Sequence, residues 1–349
     1  MKRFVKKMSV AFLFSALTFT IAACGAANED VQEEQQGDNQ VVEEQTVEKI
    51  RMASWSNPIA EQSNLYVAEE KGWFEEAGLE FEYIPGQGGG DAVRNIIAGN
   101  ADIAFANVEA VLLALEKGEK LRVIYNIYPE NVFNLVSLKE NNITSIEDLR
   151  GKNVGVYSRA SGTYDNLLVL LHKAGMTEDD ITIVDAGVLN FGPLMNNQVA
   201  ATAATDTGLF SAQLEGLGEV DVIEVKDVLN TPADVFVVTE KVFNEKQDML
   251  LRFLQVYRDS VAYTMENPEE AAEIAVSHAI DGQNVERNLG IIHIRNQTSI
   301  NEEMKEKGLG WLDLDILKEV EETYYNLGLL NERVYIETIT TNELVEQLN

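Results

Sequence analysis

Between residues 49 and 235, short apolar runs alternate with longer stretches whose apolar positions recur every three to four residues. Side chains alternate across a strand but share one helix face at i, i+3 and i+4, so the first kind reads as strand and the second as amphipathic helix. The spacing predicts strands over 49–53, 79–84, 102–106, 122–128 and 134–138. Helices are predicted over 64–77, 91–98 and 108–117, with Ala92, Val93, Ile96 and Ile97 on one face of the second and Asn107 able to cap the third. A second unit opens with SIEDLRGK, where Ser145 caps a short helix with Asp148 three residues on and Gly151 ends it. Strands at 153–157, 181–185, 200–204 and 220–225 follow, with a helix over 162–173. After Thr239 the pattern becomes almost wholly helical. Strand–helix alternation of this kind makes an α/β fold with mainly parallel sheets.

The ends change the picture. MKRFVKKMSVAFLFSALTFTIAAC has a basic head, an apolar run too short for a comfortable bilayer span and small residues before Cys24. Residues 1–23 read as a signal peptide. IAAC resembles the lipobox of bacterial lipoproteins, which implies cleavage before Cys24 and lipidation there. Cys24 is the one cysteine, so cysteine-based metal sites and nucleophiles are excluded from the mature body. Residues 24–48 are acidic and nearly free of aromatics, too polar to offset their ordering entropy. They read as a flexible tether with a reach of about 25 Å. Net charge is −31, and loss of the four basic residues of the leader takes it to −35. Such a chain repels nucleic acid.

Residues 84–102, IPGQGGGDAVRNIIAGNAD, pose the sharpest chemical question. Gly86 and Gly88 fit a dinucleotide fingerprint, but Asp91 occupies the third glycine position, and Gly90 is not followed by Lys-Ser/Thr as a triphosphate loop requires. What remains is a strand-to-helix turn whose backbone passes close to its surroundings. His172, His278 and His293 fall in separate elements, and neither a His-Glu-x-x-His helix nor a Gly-x-Ser-x-Gly turn is present. No catalytic residue, metal site or cofactor is expected.

Four segments together resemble a known family: SNLYVAEEKGWFEEAGLEFEY, GGGDAVRNIIAGNADIAFANVEAVLLALEKGEKLRVI, SIEDLRGKNVGV and FLQVYRDSVAYTMENPEEAAEIA. They are similar to the solute-binding proteins of ABC importers for sulfonates, taurine, nitrate and thiamine-pyrimidine precursors. The resemblance implies a type II periplasmic-binding-protein-like fold: two αβ lobes, two chain crossovers and a ligand cleft between. Lobe one would be 49–138 plus 236–349, and lobe two 139–235. It implies a monomeric receptor, lipid-anchored on the outer face of the cell membrane, that closes around a small molecule and delivers it to permease and ATPase subunits. A pyrimidine-synthase-like enzyme of the same fold, or a sensor module, is the alternative.

The candidate contacts are Trp55 and Asn57 after the first strand, Gln87 and Gly88 in the glycine turn, and Asn107 at the third helix start. In lobe two they are Ser158, Arg159, Ser161, Gly162 and Thr163 at a helix N-terminus suited to an anionic oxygen, and Asp206, suited to an amino group or protonated ring. Aromatics expected near the cleft, Trp55, Tyr125, Tyr157 and Tyr164, favour a flat heteroaromatic, with a sulfonate second.

Overall fold

A computed structural model describes residues 47–187 and 190–348. The expected leader, the lipidation at Cys24 and all but the last two residues of the expected tether lie outside these residues. No described helix is long and apolar enough to cross a membrane.

Two five-stranded sheets organise the chain. The first contains β1 (Glu48–Ser54), β2 (Leu79–Ile84), β3 (Ile103–Asn107), β4 (Leu121–Tyr128) and β10 (Asp234–Thr239), in the order β2-β1-β3-β10-β4. The second contains β5 (Phe133–Leu138), β6 (Asn153–Val156), β7 (Thr182–Asp185), β8 (Ala201–Thr205) and β9 (Val220–Glu224), in the order β7-β6-β8-β5-β9. The two share one plan. In each, a parallel set is joined by a single antiparallel strand second from the edge: β10 lies between β3 and β4, and β5 between β8 and β9. Those two strands are the ones reached by crossing from the other sheet.

The chain crosses at 129–132 and returns at 225–233. This corrects the expected boundary, because 133–138, assigned to lobe one from its position in the sequence, pairs entirely within the second sheet. Apolar patterning identifies a strand but carries no information about which sheet accepts it. The two crossings are tied side by side: Ala233 N donates to Tyr128 O at 2.9 Å, and Asn131 Nδ2 donates to Leu229 O at 3.1 Å. They form a short hinge.

Helices follow the strands, and two of them, 192–195 and 206–214, were not predicted from the periodicity. In lobe one these are α1 (Ser63–Glu70), α2 (Trp73–Glu76), α3 (Gly89–Ile97) and α4 (Val108–Glu116); in lobe two, α5 (Gly162–Lys173), α6 (Gly192–Met195) and α7 (Asp206–Leu214). The single helix expected over 64–77 is broken, because Gly72 sits at φ 72°, a left-handed conformation that ends α1 and restarts the chain as α2. Of the four apolar residues grouped on one face of α3, Ala92, Val93 and Ile96 are buried and Ile97 is exposed.

From Glu240 onward the chain adds α8 (Glu240–Glu245), α9 (Gln247–Glu266), α10 (Pro268–His278), α11 (Val285–Thr298), α12 (Glu302–Lys307), α13 (Leu314–Asn326) and α14 (Glu343–Leu348). The longest, α9, buries Phe253 and Tyr257 against Phe236 of β10, with ring centroids 5.3 and 4.7 Å away. Burying such rings stabilises the lobe by roughly 1.5–3 kcal/mol each. The helical tail thereby locks β10, and with it the hinge, to lobe one.

Candidate ligand-binding cleft

In each lobe the carboxyl ends of the parallel strands face the other lobe, and the following helices begin there: α3 and α4 on one side, α5 and α7 on the other. A cavity of about 410 Å³ lies between them, lined from both lobes. This is where open α/β sheets hold ligands, since strand ends and helix N-termini leave backbone polar groups without partners of their own. The volume lies within the range of roughly 300–1,000 Å³ for sites that take drug-sized molecules.

The glycine turn is a packing device. Gly88 N donates to Trp55 O at 2.7 Å and Gly86 N to Ser56 O at 3.1 Å, so the turn lies on the loop after β1. Gly88 has φ 133°, and a Cβ there would fall on the Ala160 carbonyl of lobe two; one at Gly89 would fall on the Asn107 side chain. Gly90 N also reaches Ala160 O at 3.0 Å. The absence of side chains lets the lobes meet here.

Of the expected contacts, Trp55, Gly88, Asn107, Ser161, Gly162 and Thr163 line the cavity. Trp55 stands edge-on to Phe105 of lobe one and Tyr157 of lobe two, both at 6.4 Å, and its Nε1 is buried without a hydrogen-bond partner. At the start of α5, Ser161 and Thr163 are committed to the local turn. Ser161 Oγ donates to Ser158 O at 2.7 Å, and Tyr157 N donates to Thr163 Oγ1 at 3.0 Å. Gly162 has no side chain because the Phe133 ring occupies that space.

Five expected contacts do not line the cavity. Asn57 falls in the loop after β1, half-buried. Gln87 is exposed, and its carbonyl accepts from Ser158 Oγ, so this pair joins the lobes. Arg159 points outward: Nη1 donates to Glu178 Oε2 at 2.9 Å and the guanidinium lies over Tyr164, 5.5 Å from the ring centroid. Tyr164 accordingly lies outside the cleft, and Tyr125 is in the lobe-one core against Phe236. Asp206 is consumed by an ion pair. Its Oδ1 lies 2.8 Å from Nη1 of Arg295, a buried α11 residue whose Nε is 2.8 Å from Glu61 Oε1. Thr207 Oγ1 completes this cross-lobe cluster, donating to Glu61 Oε2 at 2.8 Å.

Sequence reasoning missed Glu61, Phe133, Asp234 and Arg287, all on the cavity wall. A signal for Asp234 was present, as the one acid heading the apolar strand DVFVVT. Phe133 heads β5, which had been given to the wrong lobe. The lining carries four carboxyls, Glu61, Glu215, Asp234 and Asp281, and one guanidinium, Arg287, itself 3.4 Å from Asp281 and 3.6 Å from Glu215. Burial pushes the Asp234 carboxyl well above the usual range, reinforced by Glu61. Beneath the cavity, Asn107 Nδ2 donates to Glu109 Oε2 of lobe one at 2.9 Å and to Asp165 Oδ2 of lobe two at 3.0 Å.

Two αβ lobes joined by paired crossings, with a lined cavity between, define the periplasmic-binding-protein fold. Comparison with known proteins agrees: the alkanesulfonate-binding protein SsuA from Xanthomonas axonopodis pv. citri superposes with a TM-score of 0.67 over 84% of this chain and 98% of that one, at 15% identity. The family model for NMT1/THI5-like proteins matches residues 60–271, and the chain belongs to that family. The riboflavin-binding protein RibY of Chloroflexus aurantiacus is 26% identical over 86% of this chain and 87% of its own length. A 4-amino-5-hydroxymethyl-2-methylpyrimidine phosphate synthase of Aspergillus parasiticus is 27% identical over 49% of this chain and 47% of its own.

Proposed function

We propose that this protein is the extracytoplasmic receptor of an ABC importer, closing its lobes around a flat, uncharged heteroaromatic nutrient and presenting the closed form to a membrane permease. ATP hydrolysis belongs to a separate subunit, and a lipid at Cys24 holds the receptor at the outer membrane face. The observation that carries the reading is the cavity wall: Trp55, Phe133 and Tyr157 supply aromatic surface, and carboxyls outnumber guanidinium groups four to one. Aromatic rings hold a flat ring by stacking or edge contact. Even with Asp234 neutral, the carboxyls of Glu61, Glu215 and Asp281 outnumber the one guanidinium on the wall, an excess that disfavours a sulfonate, so the anionic class falls behind the heteroaromatic one.

Binding without turnover is supported by the match to a binding protein over 86% of the chain, against matches to synthases over 38–60% of it. Room of about 410 Å³ suits more than a single pyrimidine ring, which moves a fused-ring compound of the riboflavin kind ahead of the pyrimidine precursors. A thermal-shift panel tests this. Riboflavin, lumichrome and 4-amino-5-hydroxymethyl-2-methylpyrimidine are set against taurine and ethanesulfonate, with recovery of unaltered ligand as a second readout. Stabilisation by the sulfonates alone overturns the ligand class, and turnover of a bound compound overturns the receptor reading.

A further inference from the structure

Asp234 is the first residue of β10, where the chain re-enters lobe one from the hinge. Its backbone is in register with Asn107 of β3 and Tyr128 of β4, two strand ends at the cavity floor. The residue is 6% exposed and lines the cavity, and no described group hydrogen-bonds its carboxyl. Every other acid on the wall is engaged: Glu61 with Arg295 and Thr207, Asp281 with Arg287 and Ala60 N, and Glu215 with Arg287. A buried carboxyl without a partner costs free energy unless something supplies hydrogen bonds. The vacant face of this one is the cavity.

The cation felt at Asp234, Arg295, is held between Glu61 and Asp206. The charged groups felt at Asp234 are Glu61, Arg295 and Glu109. With two carboxyls and one cation in that field, and with burial, the neutral acid is the favoured form. A neutral carboxyl offers one O–H donor beside one C=O acceptor. That pair complements an edge in which a ring acceptor adjoins an N–H or amino donor, as in a cyclic imide or an aminopyrimidine.

Resting on the receptor reading above, we infer that Asp234 is the specificity-determining residue of the cleft, pairing through its carboxyl with the adjacent donor and acceptor atoms of an uncharged heteroaromatic ring. The geometry also explains why the group stands at the hinge. A ligand bonded there touches the first residue of the strand that re-enters lobe one, so its edge is read on lobe one before closure brings Phe133 and Tyr157 of lobe two over its faces.

Isothermal calorimetry with riboflavin, and with N3-methylriboflavin, in which the imide donor is blocked, tests the inference on the full mature chain. Asp234→Ala is expected to lose about 10–100-fold in riboflavin affinity, the cost of two lost hydrogen bonds. Asp234→Asn, which keeps a donor beside an acceptor, is expected to stay within about threefold of the parent. The methylated ligand is expected to bind the parent about as weakly as riboflavin binds Asp234→Ala, and to be indifferent to that substitution. Unchanged riboflavin affinity in Asp234→Ala, or an Asp234→Asn variant that melts like the parent yet binds as poorly as Asp234→Ala, overturns it. If 4-amino-5-hydroxymethyl-2-methylpyrimidine binds the parent and riboflavin does not, the same variants are read with that probe. Should neither ring compound bind the parent, the heteroaromatic ligand class fails and this inference with it, whereas the receptor reading falls only on turnover of a bound compound.

Discussion

Replacing Asp165 by Asn is expected to flatten the pH dependence of stability between pH 6 and 8. Asp165 lies in the first turn of α5 and Glu109 in the first turn of α4, on opposite lobes, and both carboxyls are buried. They share the Asn107 amide, while Asn166 Nδ2 donates to Glu109 Oε1 at 3.0 Å. Burial, and next the Glu109 charge, push the Asp165 carboxyl up to about 8. In the unfolded chain it titrates near 3.9. Between those values the native state holds the extra proton, so stability is fully present below about pH 4 and is lost as pH rises through about 8. From pH 6 to pH 8 the loss is about 2 kcal/mol, or about 3 °C in Tm for a body of roughly 300 residues. Asn keeps an acceptor for Asn107 and cannot ionise. Differential scanning calorimetry of parent and variant at both pH values measures the contrast. Equal Tm changes in the two proteins refute the argument, because Glu109 and Asp234 titrate in both and only the difference belongs to Asp165.

Three further outcomes follow from the cleft. Gly88→Ala is expected to hold the lobes apart through its clash with the Ala160 carbonyl and to weaken riboflavin binding at least about tenfold, with no contraction in small-angle scattering on ligand addition. Gly99→Ala, at φ 75° in open space, is the control and costs only backbone strain of about 1–2 kcal/mol. Arg295→Met leaves Glu61 and Asp206 facing each other unpaired and is expected to destabilise by about 3–5 kcal/mol in urea titration; a loss under about 1 kcal/mol contradicts the assigned role of this cluster. Trp55→Ala is expected to cost about 1–3 kcal/mol of ligand binding in calorimetry, and unchanged affinity removes it from the site.

The cleft was half legible in the chain. Trp55, Gly88, Asn107 and the Ser161–Thr163 turn come together at the cavity wall because strand ends, glycine turns and helix starts leave local marks, and the fold brings those marks to one place. Arg159 and Asp206 were misjudged for a common reason. A charged side chain beside a cleft is read as ligand-facing until its partner is known, and Glu178 and Arg295 come from 19 and 89 residues away. Asp234 went unnoticed because no strand was predicted over 234–239, so the residue had no place in either sheet.

Periodicity and turn residues therefore determined the elements, the α/β class and the ends of most strands, since these depend on neighbours within a few positions. Only the tertiary structure decided that β5 and β10 exchange sheets, that the glycine turn seats a carbonyl of the other lobe, and that a carboxyl at the hinge has no hydrogen-bonding partner among the described residues. Those outcomes depend on contacts between residues far apart in the chain, where burial and pairing, and not local preference, fix the energy of each group.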